Sequence, residues 1–177
     1  MNNFMELCLK RQSCRSFSDK PVEHEKLEKI AEAARLAPSG CNGQPWSFVV
    51  VESPEAVAAV AEAGQSTGSN AFLSKAKAFV VVLEEHAVLM PRLRTMLDSQ
   101  YFAKGDLGAA TVSACYAAAD LGLGCCIIGI FDREKVAKAL GLPVEKQFGN
   151  LIAIGYPEDE TIRQKIRKEA GEVVRFV

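Results

Sequence analysis

The sequence predicts a single domain that contains both helices and strands. Two observations support this prediction. Short apolar runs rich in valine and isoleucine indicate strands, and they alternate with longer segments whose apolar residues recur at helical spacing. The chain of 177 residues has the length of one domain, and it contains neither an internal repeat nor a low-complexity linker. We therefore predict one domain over residues 1–177, with a charged C-terminal arm at about residues 158–177.

The first quarter of the chain contains two predicted helices and a strand. Residues 2–11 form a short amphipathic helix. A second helix begins at Asp19-Lys-Pro21, because proline near a first turn followed by early acidic residues favours a helix start. Pro38 stops that helix. The β-branched run at residues 46–52 has the propensity of a strand.

The middle of the chain begins clearly and then loses its pattern. Ser53 as N-cap and Pro54 as first residue open a helix that Gly64 ends. The apolar run at residues 78–83 is a strand buried on both faces. Residues 86–104 are harder to assign. A short amphipathic helix there would carry Leu93, Met96 and Leu97, and an aromatic pair that either packs or covers a ligand follows at Tyr101 and Phe102.

The last third contains a long helix dense in small residues, at residues 106–123. Small residues let another helix approach closely, and a helix that is apolar nearly all round must be buried on most faces. A partner subunit is one way to bury it. Strands follow at residues 125–130 and 148–155, separated by a short helix that Asp132 caps. Residues 173–177 form a terminal strand that needs a sheet edge to join.

Composition argues against several classes of protein. The 21 basic and 22 acidic residues leave a net charge of −1, so no overall field attracts nucleic acid. No signal-peptide pattern follows Met1, and Asp120 and several glycines interrupt the most apolar run, which argues against a membrane span. The six cysteines lack metal-ligand spacing. We predict a cytoplasmic protein with reduced thiols, no metal site, and neither membrane nor nucleic acid as a partner.

The segment Arg11-Gln-Ser-Cys-Arg-Ser-Phe17 is the first candidate functional element. Two arginines and three nearby serines place several donors within eight residues, and no acidic residue interrupts them before Asp19. A guanidinium group can bind phosphate oxygens in a bidentate way, and short hydroxyls add neutral donors. The segment is therefore a candidate anion site. The alternative is a basic turn that only faces water.

A second polar element, Ala37-Pro-Ser-Gly-Cys-Asn-Gly-Gln-Pro-Trp46, follows one helix later. It contains two glycines and almost nothing to bury. Asn42 and Gln44 offer donors and acceptors suited to the polar edge of a ligand. The alternative interpretation is an ordinary connection between a helix and a strand.

Together these two elements resemble the flavin-dependent nitroreductase family. That family has an Arg-x-Ser-x-Arg-x-Phe element near its N-terminus and then an Ala-Pro-Ser-x-x-Asn-x-Gln-Pro-Trp loop. Later segments are similar as well: Asp106-Leu-Gly108 with the alanine-rich helix, Ile127-Ile-Gly-Ile-Phe-Asp132, Gly155-Tyr-Pro157, and the basic pair Lys165 and Arg167. The resemblance covers essentially the whole chain.

The resemblance implies an α+β fold with a mixed central sheet surrounded by helices, in an intertwined homodimer that exchanges C-terminal arms. FMN would lie at the subunit interface, and NADH or NADPH would reduce it. A small electron-poor acceptor, such as a nitroaromatic compound or a quinone, would then take the hydride from flavin N5 in a ping-pong mechanism. The flavin would carry the chemistry, so no protein side chain is predicted to be catalytic.

The resemblance places the cofactor contacts at Arg11, Gln12, Ser13, Arg15, Pro38, Ser39, Gly40, Asn42, Gln44, Asn70, Ile128, Gly129, Lys165 and Arg167. Arg11 and Ser13 would bind the FMN phosphate, together with Lys165 and Arg167 from the arm. Arg15 would lie near the pyrimidine edge of the flavin ring, where a positive charge stabilises the reduced form.

Two further segments would contact the ring. Pro38, Ser39 and Asn42 would come from the opposite subunit. The backbone N–H of Gly129 would point at flavin N5, where glycine permits a close approach. Asn70 would contact the edge of the ring.

Two alternatives to this function remain open. One is a flavin store or sensor that binds the cofactor without nicotinamide turnover. The other is a specialised member of the family that removes halogen, fragments flavin or reduces an enoate. Residues 86–104 correspond to the region that covers the flavin and separates these activities. The sequence identifies neither the acceptor nor the choice between NADH and NADPH.

Overall fold

The computed structural model describes residues 3–94 and 100–177, apart from the side chains of residues 93 and 94. Its centre is one four-stranded sheet, in the order β1-β2-β4-β3. The strands are β1 (Trp46–Val51), β2 (Ala78–Glu84), β3 (Gly124–Ile128) and β4 (Phe148–Gly155). All three ladders between these strands are antiparallel, and an isolated parallel bridge joins Ser13 to Cys125 beside β3. The predicted α+β class is confirmed.

Helices lie on both sides of this sheet. They are α1 (Phe4–Lys10), α2 (His24–Arg35), α3 (Pro54–Gln65), α4 (Pro91–Arg94), α5 (Ala103–Asp120), α6 (Arg133–Ala139) and α7 (Ala170–Val173). Short 3₁₀ turns occupy Gly40–Asn42 and Ala71–Lys75. Ser53 and Asp132 cap α3 and α6 as predicted, each accepting a backbone N–H with its side chain. Within the described residues, no helix has the length and apolar character that crossing a membrane requires.

Several sequence-based boundaries were wrong. The helix predicted at residues 106–123 is Ala103–Asp120, and the strand predicted at residues 125–130 ends at Ile128. The second helix begins at His24 rather than near Pro21. The chain before it is held extended, because Ser18 N–H donates to the carbonyl of Tyr156 and Asp19 pairs with Lys77 at 2.9 Å. At the C-terminus, Val173 ends the one-turn helix α7 instead of opening a strand, and a capping box formed by residues 169 and 172 favours that turn. Met96 and Leu97 lie outside the described residues.

The sheet separates two apolar layers. One face packs against α3 and α6, with Phe79, Val81 and Leu151 at its centre. The opposite face packs against α2 and α5, with Val80 and Ile152 at its centre. Because both faces of β2 are covered, its residues 78–83 are all buried, as the continuous apolar run predicts. The α5 helix reaches this core through its alanines, because small side chains let its backbone approach the sheet and α2.

The polar segment that follows α1 runs along the outer side of β3. Cys14 N–H donates to the carbonyl of Cys125 at 2.9 Å, and Phe17 forms a bridge with Pro157 just after β4. The side chain of Phe17 is buried in the core. The backbone of the Arg11–Phe17 segment is thus fixed to the ends of two strands, while its arginines stay outside.

Candidate functional site

Residues 11–15 and 163–167 face each other across a groove of about 380 Å³, which we call the cationic groove. Five cationic side chains line it: Arg11, Arg15, Arg163, Lys165 and Arg167. Ser13 lies among them, as the sequence predicts. The two sequence elements that the resemblance assigns to a phosphate group therefore meet in space, although about 150 residues separate them.

Hydrogen bonds fix the arm to the N-terminal segment of the same chain. Lys165 Nζ donates to the Arg11 carbonyl at 2.6 Å, and Arg163 donates through its terminal nitrogen to the Ser13 carbonyl at 2.6 Å. Gln12 Nε2 donates to the Thr161 carbonyl at 2.9 Å, while Gln12 Oε1 accepts from Arg163. Gln12 therefore uses its amide to hold the arm. Gln12 would then support cofactor binding by positioning the arm and not by direct contact.

The electrostatics of the groove favour an anion. Within the described residues, none of its five cations has a carboxylate as an ion-pair partner. The pKa of Lys165 is lowered, first by partial burial and then by the positive charges of Arg11 and Arg167. Like charges gathered without compensation repel one another, and a bound dianion would relieve that repulsion. Phosphate oxygens match guanidinium and ammonium donors in geometry and charge.

Arg15 lies towards the middle of β3. Its side chain is exposed. Burial of Cys126 raises the pKa of that thiol, and the positive charge of Arg15 partly offsets this rise. Cys14 points to the other side of the segment, where burial raises the pKa of its thiol too. A raised pKa keeps a thiol protonated and unreactive near neutral pH. The structure pairs none of the six cysteines in a disulfide.

The turn after β3 leaves open space where the resemblance expects a ring. Gly129 is exposed, and apart from its two chain neighbours no atom lies within 4 Å of where a Cβ would stand on it. Asn70, in a left-handed conformation, donates from Nδ2 to the Ile130 carbonyl at 2.9 Å, so it supports this turn. Ile128 as a whole is only 3% exposed, so its side chain belongs to the core and does not face the open space.

Two apolar side chains beside this turn were missed in the sequence. Ile127 is 38% and Ile130 73% exposed, on either side of Gly129. Alternation along β3 could have identified Ile127, because Cys126 and Ile128 both point into the core. Together with Gly129, they offer an apolar surface of the kind on which a flat aromatic ring can lie.

The loop from Pro38 to Gln44, which we call the polar loop, has an unusual backbone. Cys41, Asn42 and Gln44 all have positive φ angles, of 53°, 55° and 46°. Non-glycine residues rarely adopt this conformation, and such strain concentrates at functional sites. Ser39 Oγ accepts the N–H of Gln44 at 3.1 Å, which helps to close the loop. The side chains of Pro38, Asn42 and Gln44 face solvent.

Three hydrogen bonds anchor the polar loop to residues 85–106. Gly40 N–H donates to Asp106 Oδ1 at 2.9 Å. The carbonyls of Gly43 and Pro45 accept from the N–H groups of Val88, at 2.9 Å, and Glu85, at 3.0 Å. Within one chain the loop therefore packs on α5 and its preceding segment, whereas the cationic groove lies between residues 11–15 and the arm. The arrangement expected from the resemblance, in which a second subunit brings its loop to the groove, stays a prediction.

Other kinds of site receive no support from the described residues. No group of three or more His, Cys, Asp or Glu side chains in that part of the chain is placed to hold a metal ion. His24 interacts with Glu52 and Glu28 on an exposed helix surface. The cationic groove, the turn at Gly129 and the polar loop are the three parts of the candidate site.

Comparison with known proteins gives a consistent result. The model of the nitroreductase family matches residues 8–156. A candidate NADH dehydrogenase/NAD(P)H nitroreductase of Archaeoglobus fulgidus is 36% identical over 88% of both chains. An oxygen-insensitive NADPH nitroreductase of Helicobacter acinonychis is 30% identical over 97% of this chain and 95% of its own length. The crystal structure of a candidate nitroreductase of Desulfovibrio desulfuricans in complex with FMN superposes with a TM-score of 0.78, at 25% identity, over 98% of this chain and 96% of that one.

Proposed function

Because the chain belongs to the nitroreductase family, we propose that it binds FMN in the cationic groove and uses NADH or NADPH to reduce an electron-poor small molecule. The observation that carries this proposal is the meeting of Arg11, Ser13 and Arg15 with Lys165 and Arg167 in one groove, without carboxylate partners among the described residues. Relatives named NAD(P)H nitroreductase and FMN reductase, and a related structure in complex with FMN, support the same class.

The donor set fits the phosphate of FMN. Arg11, Lys165 and Arg167 supply cations, and Ser13 supplies a hydroxyl donor, for a group that carries close to two negative charges at neutral pH. When bound, FMN would supply the hydride-transfer chemistry between the reduced nicotinamide and the acceptor. The residues of this chain bind and orient the reactants.

We assign the remaining predicted residues to the ring. Arg15 lies beyond the phosphate-binding cations along β3, so its charge can stabilise the electron-rich pyrimidine edge. Gly129 leaves room for its N–H to approach the ring, and Asn70 holds the turn that presents it. Ile127 and Ile130 provide apolar contacts and exclude water from one face.

We propose that two subunits complete each site. Several large apolar side chains are exposed in the single chain: Phe4, Met5 and Leu9 on α1, Val112 on α5, and Ile166 and Phe176 on the arm. A single chain rarely exposes so much apolar surface unless a partner covers it. In a two-fold dimer each contact occurs twice, so the polar loop of each subunit can serve the groove of the other. The unpaired edge of β1 is available to the partner's arm.

The open surface around Gly129 suits successive binding. A nicotinamide and an acceptor ring would occupy the same face in turn, which gives ping-pong kinetics. The rings of Tyr101 and Phe102 pack edge to face, with their centroids 4.9 Å apart, and Phe102 packs against Gly40 of the polar loop. We assign this pair to the border of the acceptor pocket. It favours flat aromatic acceptors such as nitroaromatic compounds and quinones, because aromatic rings pack well against one another.

The absorbance spectrum of the purified protein tests the proposal. We expect the bands of oxidised flavin, and we expect them to bleach when NADH or NADPH is added without oxygen and to return when a quinone is added. Flavin bands that persist with both nucleotides would contradict the enzyme and support a store or sensor. A protein that binds no flavin even after FMN is added would contradict the whole proposal.

A further inference from the structure

The carboxylate of Asp106 lies against the backbone of the polar loop. Its Oδ1 accepts the N–H of Gly40 at 2.9 Å. Asp106 is one of two buried polar or charged side chains among the described residues, the other being Thr111. A carboxylate is costly to bury, so a buried carboxylate bonded to a loop backbone indicates a requirement for that bond. We propose that Asp106 is a positioning residue that holds the polar loop in the conformation that contacts FMN. This inference rests on the proposed function.

The hydrogen bond acts at a point where the loop is constrained from two sides. Gly40 comes directly before Cys41 and Asn42, whose φ angles are positive. On its other side, a Cβ at Gly40 would stand 2.7 Å from the Phe102 ring. A left-handed backbone at non-glycine residues persists only when its surroundings enforce it. Asp106 and Phe102 together fix Gly40, and the conformation of the following residues depends on that fixed point.

The position of Asp106 on α5 also links the loop to the proposed subunit interface. Gly105 and Gly108 are exposed on the same turns of the helix. Apart from the adjacent residues and the backbone of the helix itself, no atom lies within 4 Å of where their Cβ atoms would stand. If a partner subunit packs on that face, Asp106 sets the distance between the interface and the polar loop. Asp106 of one chain would then position contacts to the FMN held by the other chain.

Removing the carboxylate should weaken FMN binding and loosen the loop together. For Asp106→Ala we expect the Kd for FMN to rise about tenfold to a hundredfold, the usual effect of losing a hydrogen bond to a charged group. Backbone amide exchange in residues 39–44 should become faster, while exchange in β2 and β4 should not change. Asp106→Asn keeps an oxygen acceptor and should restore most of the affinity. Asp120→Asn, at the exposed end of the same helix, is the matched control.

These measurements separate the inference from the proposed function. If the parent protein binds no FMN, the proposed function fails, but amide exchange still shows whether Asp106 holds the loop. Unchanged exchange at residues 39–44 in Asp106→Ala would contradict the inference, whatever happens to FMN. If the alanine variant does not fold, Asp106→Ser, whose shorter side chain withdraws the acceptor from the Gly40 N–H, gives the same two readouts.

A mixed dimer tests which site Asp106 serves. We would combine one Arg11→Ala chain with one Asp106→Ala chain and measure bound flavin. If the polar loop serves the partner, one site receives both altered elements and the other receives neither, so half of the flavin should bind with the parent's affinity. If Asp106 serves its own chain, both sites are damaged and no tight site should appear. The second result would contradict the assignment across subunits.

Discussion

Phe17 packs directly on the backbone of Gly155. A Cβ at Gly155 would stand 2.8 Å from the nearest atom of the Phe17 ring, and Phe17 is 2% exposed. The contact joins the segment that bears the arginines to the end of β4, where Ser18 also donates to Tyr156. The position of the cationic groove therefore depends on glycine at residue 155.

We expect Gly155→Ala to lower the free energy of unfolding by about 1–3 kcal/mol, because the added methyl group has no space beside Phe17. Urea unfolding of the FMN-free protein measures the change. Gly171→Ala is the control, since no atom lies within 4 Å of that position and alanine suits the helix α7. Equal stability of Gly155→Ala and the parent would show that Phe17 can move at little cost.

Much of this architecture could be predicted from local patterns. The strands β1, β2 and β4 follow from their apolar runs, and the caps Ser53 and Asp132 follow from helix chemistry. The start of α2 was misplaced because Pro21 is a good first-turn residue locally. Tertiary contacts of Ser18 and Asp19 keep the chain extended there, and no local pattern reveals them.

The site could be predicted only in part for the same reason. Spacing cannot show that Gln12 and Arg163 bond to each other across the chain, or that Asp106 reaches Gly40. Both contacts depend on elements far apart in sequence. The roles that we propose for the polar loop and for the arm require a second subunit, which no pattern within one chain can position.

Arg11→Ala should weaken FMN far more than riboflavin. We expect the Kd for FMN to rise about tenfold to a hundredfold, since a charge-assisted contact to phosphate is lost, and the Kd for riboflavin to change little. Quenching of flavin fluorescence measures both constants. Lys168→Ala, an exposed cation just beyond the groove, should behave like the parent. Equal weakening of both ligands would remove Arg11 from the phosphate site.

Arg15→Ala should change the redox potential of the bound flavin more than its affinity. Loss of a positive charge near the pyrimidine edge destabilises the reduced form, so we expect the two-electron potential to fall by roughly 30 mV or more, which corresponds to about 1.4 kcal/mol. Reduction by NADH or NADPH should slow accordingly. Equilibration with a reference dye measures the potential, and Arg35→Ala, on the exposed side of α2, is the control. Equal potentials would contradict this role of Arg15.

Gly108→Phe should block subunit association without disturbing the single chain. The position is exposed on α5, and nothing in the chain lies within 4 Å of its missing Cβ. We expect a folded monomer in sedimentation experiments, with FMN bound about tenfold or more weakly because the partner's polar loop is lost. Lys138→Phe places the same ring on an exposed position of α6 and should leave a dimer. A Gly108→Phe dimer would place the interface elsewhere.

Lys165 should destabilise the FMN-free protein and stabilise the complex. Its pKa in the folded chain is lowered by burial and by Arg11 and Arg167, so the folded state disfavours its charge. A base with a lowered pKa reduces stability at every pH below that pKa, and the penalty disappears as the pH rises towards the unfolded value. A bound phosphate reverses the sign, because it compensates the ammonium charge. The same side chain therefore opposes folding before FMN binds and supports it afterwards.

We accordingly expect Lys165→Gln to unfold at the same or a higher temperature than the parent at pH 7 without FMN, and to gain less from saturating FMN. Thermal unfolding of the parent and the variant, each with and without FMN, measures these changes in unfolding temperature. For the parent, the rise in unfolding temperature that FMN causes should become smaller as the pH approaches 10. Lys168→Gln is the matched control on the same arm. If Lys165→Gln lost equal stability with and without FMN, Lys165 would act only through its 2.6 Å hydrogen bond to the Arg11 carbonyl and not through its charge.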